Sequence, residues 1–251
     1  MRFLLICLAF LLSACDSGVG APPVPAYQPE QLAGLRTRAV LVAAEDSIKA
    51  FDNATARFAT ALTARGVAAS DIHRFSAKDL AGTERSDIGG VMRRIGTLDA
   101  GPNQACLIYM TGHGAKDMGI VFQHDDDYLD PKQLDRVLRL GCGVRPTVVV
   151  MSACFSGIFS GSTVARANRI IITAARRDRP SFGCGAGDVF TFFDECFLRS
   201  FEDRASLTWE EVARGAFACV EKKEAAEDSP SSKPQIAVGA AVRGLRVPII
   251  R

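Results

Sequence analysis

Histidine is the scarcest chemically useful residue in this 251-residue chain. There are three, His73, His113 and His124, and none beyond position 124. That bounds severely any site built on imidazole. No Cys-x-x-Cys pair occurs among the eight cysteines, which argues against a zinc finger and against a thiol-redox motif. A basic run is missing too: 30 Lys and Arg face 28 Asp and Glu, for a net charge of +2 spread along the chain. Phosphate binding needs a concentrated basic face, so nucleic acid is excluded as the main partner. Internal repeats are absent. What remains is 48% hydrophobic and 23% charged, a globular composition with room for one large domain or two small ones.

The first residues stand apart from this. Met1-Arg2 is followed by an apolar run from Phe3 to Leu12 and a small-residue exit. This is the pattern of a secretory signal, too short for a membrane span of ~20 residues. The exit Leu12-Ser13-Ala14-Cys15 resembles the lipobox of bacterial lipoproteins. The resemblance implies cleavage after residue 14 and lipidation of Cys15, with several acyl chains giving stable anchoring. Asp16 resembles an inner-membrane retention signal, so the expected place is the cell envelope, facing the periplasm. Residues 15–37 carry Pro22, Pro23, Pro25 and Pro29 and read as a semi-rigid tether reaching roughly 65 Å. The folded domain is expected over 38–251.

Within it, Arg38–Ala44 and Ile72–Phe75 read as strands, as do the apolar runs Ala105–Met110, Thr147–Met151 and Arg169–Thr173, which lack alternation and so are covered on both faces. Helical spacing predicts helices over Phe51–Arg65, Ile88–Leu98, Pro131–Leu140 (stopped by Gly141), Asp188–Glu202 and Thr208–Glu224. Met118–Gln123 turns through His124–Asp127 as a small hairpin, and a last strand lies near Ile236. Buried strands alternating with helices predict an α/β fold, a mostly parallel sheet with helices on both faces.

In such sheets, sites form beyond the carboxyl ends of the strands. After the third long strand come Thr111-Gly112-His113-Gly114, after the fourth Ser152-Ala153-Cys154, and after the first, Asn53 at the start of its helix. In the common order 2-1-3-4-5 those strand ends are neighbours, so one cysteine, one histidine and one asparagine converge. A thiol of pKa ~8.5 needs activation to act as a nucleophile. A helix beginning after Cys154 would favour the thiolate, His113 can move the proton, and the Gly114 and Cys154 N–H groups can face a developing oxyanion. Chain order then discriminates. Papain-like and α/β-hydrolase designs place histidine after the nucleophile, whereas histidine before cysteine is the caspase-type order.

The segments LIYMTGHG, VVVMSACFSG and TAARRDRPSFGC are similar to those of legumain-type members of the caspase-like cysteine peptidases, over about residues 38–239. The resemblance implies a caspase-like three-layer sandwich, a dyad of Cys154 and His113, and support of the histidine by Asn53 in FDNATARF; SSKPQIAVG resembles the closing strand. It departs at Ser152, where legumains carry a glutamate, at Arg179 beside Asp178, where a pocket acid is expected, and at Gly112. Ser152, Asp178 and Arg179 are therefore the candidate substrate-binding residues. Protein or peptide substrates are implied, and neither cofactor nor metal is required. An envelope lipoprotein that keeps the fold as a binding module is the competing reading, and transamidation an added activity.

The remaining residues carry blander expectations. Asn53 could equally cap its helix. His124 with Asp125–Asp127 reads as a solvated turn, and Arg176, Arg177 and Arg179 as a loop rim. His73 reads as structural, without a partner. Of Cys106, Cys142, Cys184, Cys196 and Cys219, an odd number, at least one stays free, and the last three lie close enough in sequence to pair among themselves.

Overall fold

The computed structural model describes residues 27–249 apart from Pro29 and Ser162. The expected signal segment, Cys15 and Asp16 lie outside the described residues. In chain order the elements are β1 Arg36–Ala43, α1 Lys49–Ala64, β2 Ile72–Ser76, β3 Glu84–Arg85, α2 Ile88–Gly96, β4 Gln104–Thr111, β5 Gly114–Ala115, β6 Gly119–Phe122, β7 Asp127–Leu129, α3 Pro131–Gly141, β8 Thr147–Ser152, β9 Arg169–Thr173, α4 Phe192–Glu202, α5 Trp209–Ala226 and β10 Gln235–Val238.

Seven strands form the central sheet in the order β10-β9-β8-β4-β1-β2-β3. All neighbours run parallel except β10, which closes the edge antiparallel to β9. The five long strands thus follow the expected 2-1-3-4-5 order. Alternate residues of each strand feed two apolar layers, as a sheet covered on both faces requires. Leu41, Leu107, Tyr109 and Val150 meet Phe58, Phe197, Phe201 and Trp209 of α1, α4 and α5. Val42, Ile108, Met110 and Val149 meet Val91, Ile95, Leu134 and Leu138 of α2 and α3. Burying each such side chain stabilises the fold by about 2 kcal/mol.

Local signals set most helix starts. Asp130 caps α3 in a capping box with Gln133, ahead of Pro131, and Thr208 does the same for α5 with Glu211. Thr191 caps α4 by accepting the Asp194 N–H, so that helix starts four residues later than the apolar spacing suggested. Gly141 does not stop α3. It is the helix's last residue, and Gly143, with φ of 55°, makes the left-handed turn.

The expected boundary at Arg38 also moves. Tyr27 donates its hydroxyl to Val144 O at 2.9 Å and Leu32 is part of the core, so chain assigned to the tether is packed on the domain. Among the described residues two disulfides form, Cys106–Cys142 tying β4 to the end of α3 across two layers and Cys196–Cys219 joining α4 to α5 within one layer. Cys154 and Cys184 are free thiols. Only one of the two bonds lies within the C-terminal trio.

Candidate active site

β4 and β8 are adjacent, with Thr111 paired to Ser152 at their ends. His113 and Cys154 each follow two residues later, so the register alone puts them side by side. The Gly112 N–H donates to Ser152 O at 3.2 Å, extending that contact. A Cβ at position 114 would collide with the carbonyl oxygen of Cys154. Only glycine lets the His113 loop lie this close to the Cys154 turn. Val121 N–H donates to His113 O at 2.9 Å. By the alternation of an antiparallel ladder, Gly114 opposite Ile120 is then at a non-hydrogen-bonded pair, its N–H left for another acceptor.

The imidazole of His113 is held by packing, edge-on to Phe51 with ring centroids 5.5 Å apart. Its backbone is held by Glu45, whose Oε1 accepts the His113 N–H at 2.5 Å while Oε2 accepts the Ser47 hydroxyl at 3.0 Å. No hydrogen bond reaches either ring nitrogen among the described residues. Asn53 does not support the ring as expected. It lies in the second turn of α1, whose N-cap position is Ile48 with no side-chain capping bond, and its amide donates to Val189 O at 3.0 Å, pinning the loop before α4. Neither the orienting role nor the capping role is what its contacts serve.

Cys154 is half-buried at the start of a strained turn. Phe155 has φ of 57°, a conformation costing a bulky residue on the order of 1 kcal/mol, and its N–H donates to Arg179 O at 2.9 Å. The expected helix after Cys154 is a five-residue 3₁₀ segment, Ser156–Ser160, too short to bring much dipole to the sulfur. Ser181 faces the thiol instead. Its N–H points at Sγ from 3.3 Å, its carbonyl accepts the thiol at 3.5 Å and its hydroxyl lies 3.8 Å away. A charge-assisted N–H bond to the sulfur strengthens as the thiolate forms.

The candidate substrate-binding residues separate. Ser152 is buried, not at the surface, because its hydroxyl turns inward toward Asp194. Asp178 is exposed and clamps Arg176 through two bonds of 2.5 and 2.7 Å, which holds its carboxyl down at about 2. Arg179 donates to Ser231 O at 2.9 Å, and Arg177 to Asp117 at 2.9 Å. An open cleft of about 640 Å³ runs beside the turn that follows Cys154, lined by Lys116, Asp117, Gly157, Ile158, Arg176 and Asp178. Asp178 therefore lines a cleft, while Ser152 does not.

One buried group, Asp194, went unread in sequence, and Cys184, expected to pair, is a free and half-buried thiol. Asp194 sits in a cage of the Tyr109, Thr111, Ser152 and Thr191 hydroxyls; burial pushes its carboxyl up and the hydroxyls pull it back. Cys184 is pushed up to about 12, by burial first and by the nearby Cys154 second. His73 does have a partner, Glu84 at 3.6 Å, though burial lowers its basicity. The turn at His124 is stapled, with Nε2 2.9 Å from Ala77 O and Asp125 accepting the Ile88 N–H at 2.8 Å.

Comparison with known proteins places this arrangement. Caspase-1 from Spodoptera frugiperda superposes with a TM-score of 0.60 over 82% of this chain and 87% of that one, at 13% identity. At that identity the likeness establishes the fold alone: a caspase-like three-layer sandwich. No curated protein matches the sequence. Residues 82–229, which span β3 to the end of α5 and include both His113 and Cys154, match the model of the peptidase C13 family. The chain belongs to the peptidase C13 family, the legumain family of cysteine peptidases.

Proposed function

We propose that the protein is a cysteine endopeptidase working through Cys154 and His113. The observation that supports this is the close approach of Gly114 to the Cys154 carbonyl, which brings the loop carrying His113 against the turn carrying the free thiol. Cys154 Sγ attacks the scissile carbonyl carbon as its proton passes to His113. The oxyanion receives the Gly114 and Cys154 N–H groups. Collapse expels the amine, which takes the proton back from His113, and leaves a thioester. Water, deprotonated by His113, then attacks the thioester, releasing the acid and the thiol. An amine in place of that water gives a transamidated product.

Ser181 has a double part in this cycle. Its N–H supports the thiolate, while its carbonyl, which accepts the resting thiol, must draw back once the sulfur is charged. Asp178 and Arg176 on the cleft wall are placed to meet a substrate, and Arg179 stands behind them. The N-terminal segment, cleaved before Cys15 and lipidated there, would hold the domain at the envelope. The close cover of Ser181 over Sγ favours one second reading, a binding module whose thiol never turns over.

Labelling by a peptidyl acyloxymethyl ketone, with a peptide library varied at P1, separates them. The peptidase reading expects labelling and cleavage that Cys154→Ala and His113→Ala abolish. Labelling retained in Cys154→Ala would refute the assignment, and no turnover of any peptide would favour the binding module.

A further inference from the structure

Among the described residues Asp194 is the carboxylate with no exposure at all, and the chemistry above leaves it unused. It stands in the first turn of α4. Its side-chain partners are all hydroxyls: Tyr109 at 2.5 Å, Thr111 at 2.8 Å, Ser152 and Thr191. A buried carboxylate without a cation is costly to keep, and an apolar residue would fill the same layer more cheaply. Its retention therefore asks for a reason beyond packing.

The register supplies one. Thr111 and Ser152 are partners across β4 and β8, on the sheet face that α4 covers. Each stands two residues before a reacting group, Thr111 before His113 and Ser152 before Cys154. A single carboxylate thus grips both strands at the last paired position before each turns into the site. Tyr109, one row deeper on the same face, stays a protonated donor because burial and the adjacent carboxylate raise it well above its ordinary value. The α4 end of the clamp is fixed too, since the Asp194 N–H is held by the Thr191 hydroxyl at 3.0 Å. Among the described residues no other side-chain hydrogen bond joins the two strand ends on this face.

We infer that Asp194 is a positioning residue, which ties the ends of β4 and β8 to α4 and so holds His113 at working distance from Cys154. The inference rests on the reading of those two residues as a dyad. A clamp of this kind acts on the geometry of the reacting groups, where displacement by ~1 Å can cost about 100-fold in rate.

The test uses the full chain with Asp194→Asn, which keeps shape and removes charge, and Thr111→Val, which removes one hydroxyl from the cage. Two readouts are taken: kcat and KM on a peptide that the wild type cleaves, and the pH profile of Cys154 alkylation by iodoacetamide. Asp194→Asn is expected to lower kcat by roughly 10- to 100-fold with KM within about twofold. It should also slow Cys154 alkylation relative to the wild type, because His113 no longer stands at working distance from the sulfur. Thr111→Val should show a smaller loss of the same kind, and the double variant should be no worse than Asp194→Asn, because both break one clamp. Wild-type kcat and an unchanged alkylation profile in both variants, whatever happens to the melting temperature, overturns the inference while leaving the dyad standing. A wild type that cleaves nothing and alkylates as an isolated thiol overturns the dyad and this inference together. If Asp194→Asn does not fold, Thr111→Val decides by the same criteria.

Discussion

Replacing Gly114 by alanine tests the site more sharply than removing either reacting group. The added methyl meets the carbonyl oxygen and carbon of Cys154, and lies 3.1 Å from its backbone nitrogen. All three are main-chain atoms of a turn held by Phe155 to Arg179, so no flexible side chain can swing aside. To reach van der Waals separation, the two loops must part by on the order of 1 Å. Overpacking of this kind costs about 1–3 kcal/mol of stability, a fall in Tm of roughly 2–12 °C for a domain of this size. The effect on catalysis should be larger, because parting the loops separates imidazole from sulfur and drags the Gly114 N–H off the oxyanion. A loss of about 100-fold in kcat/KM, worth ~2.7 kcal/mol of transition-state stabilisation, is expected. Fluorogenic peptide kinetics beside a thermal melt measure both. Activity within threefold of wild type in a folded Gly114→Ala protein would mean that the contact between these loops is irrelevant to the reaction, and the assignment would fail.

The two free thiols should behave differently. With Cys184 pushed up to about 12, it stays protonated and inert at neutral and mildly alkaline pH, so iodoacetamide mapped by peptide mass should modify Cys154 alone below about pH 10. Modification of Cys184 at pH 8 contradicts its buried placement. Replacing Cys196 and Cys219 by alanine opens a cross-link between residues 23 apart and should cost about 3 kcal/mol, read as a lower denaturation midpoint; no change would refute the pairing. Asp135 binds Arg166 at 2.8 Å and the buried Arg169 at 2.8 Å. Burial opposes its charge, yet the two arginines hold its carboxyl below the usual range. A depressed acid contributes stability above its unfolded pKa and loses it as pH falls through the folded one, so Asp135→Asn should cost roughly 3 kcal/mol at pH 7 and progressively less as the pH is lowered into the acid range, as denaturant melts across pH will show. An equal cost at both ends would rule out the ion pair as its source.

How far the sequence could be read follows from which physical signals are local. The long strands were legible because runs such as Cys106–Met110 and Val148–Met151 are apolar without alternation, which only a sheet covered on both faces can use. The sheet order followed from chain connectivity, and with it the adjacency of His113 and Cys154. What failed was information carried by distant chain. Asp188-Val189-Phe190 has helix-like spacing, but Thr191 offers a better cap and the helix begins after it. Cys106 meets Cys142 because α3 packs back under β4, a fact of tertiary structure that cysteine spacing does not encode. Glu45 follows β1 as directly as His113 follows β4, so the strand-end rule pointed at it. In a chain with 28 acids, an acid after a strand is unremarkable until its partner is seen.

Asn53 shows how a correct placement can carry the wrong role. It lies near the site, as its position after β1 implied, but α1 begins at Lys49, and a residue five places into a helix points where the helix phase sends it. That direction is toward Val189 O, in the loop that runs from β9 across Cys154 to α4. The same loop supplies Arg179 O to the strained Phe155 turn and Ser181 to the sulfur. Asn53 thus restrains the far end of the segment whose near end covers the thiol, while Glu45 and Phe51 attend to His113. The division makes physical sense. On the proposed chemistry a substrate displaces the Ser181 carbonyl without freeing Arg179, two residues away, which still holds the turn that carries the sulfur. A loop anchored at both sides of that point, by Phe155 and by Asn53, can yield locally and keep the nucleophile aligned.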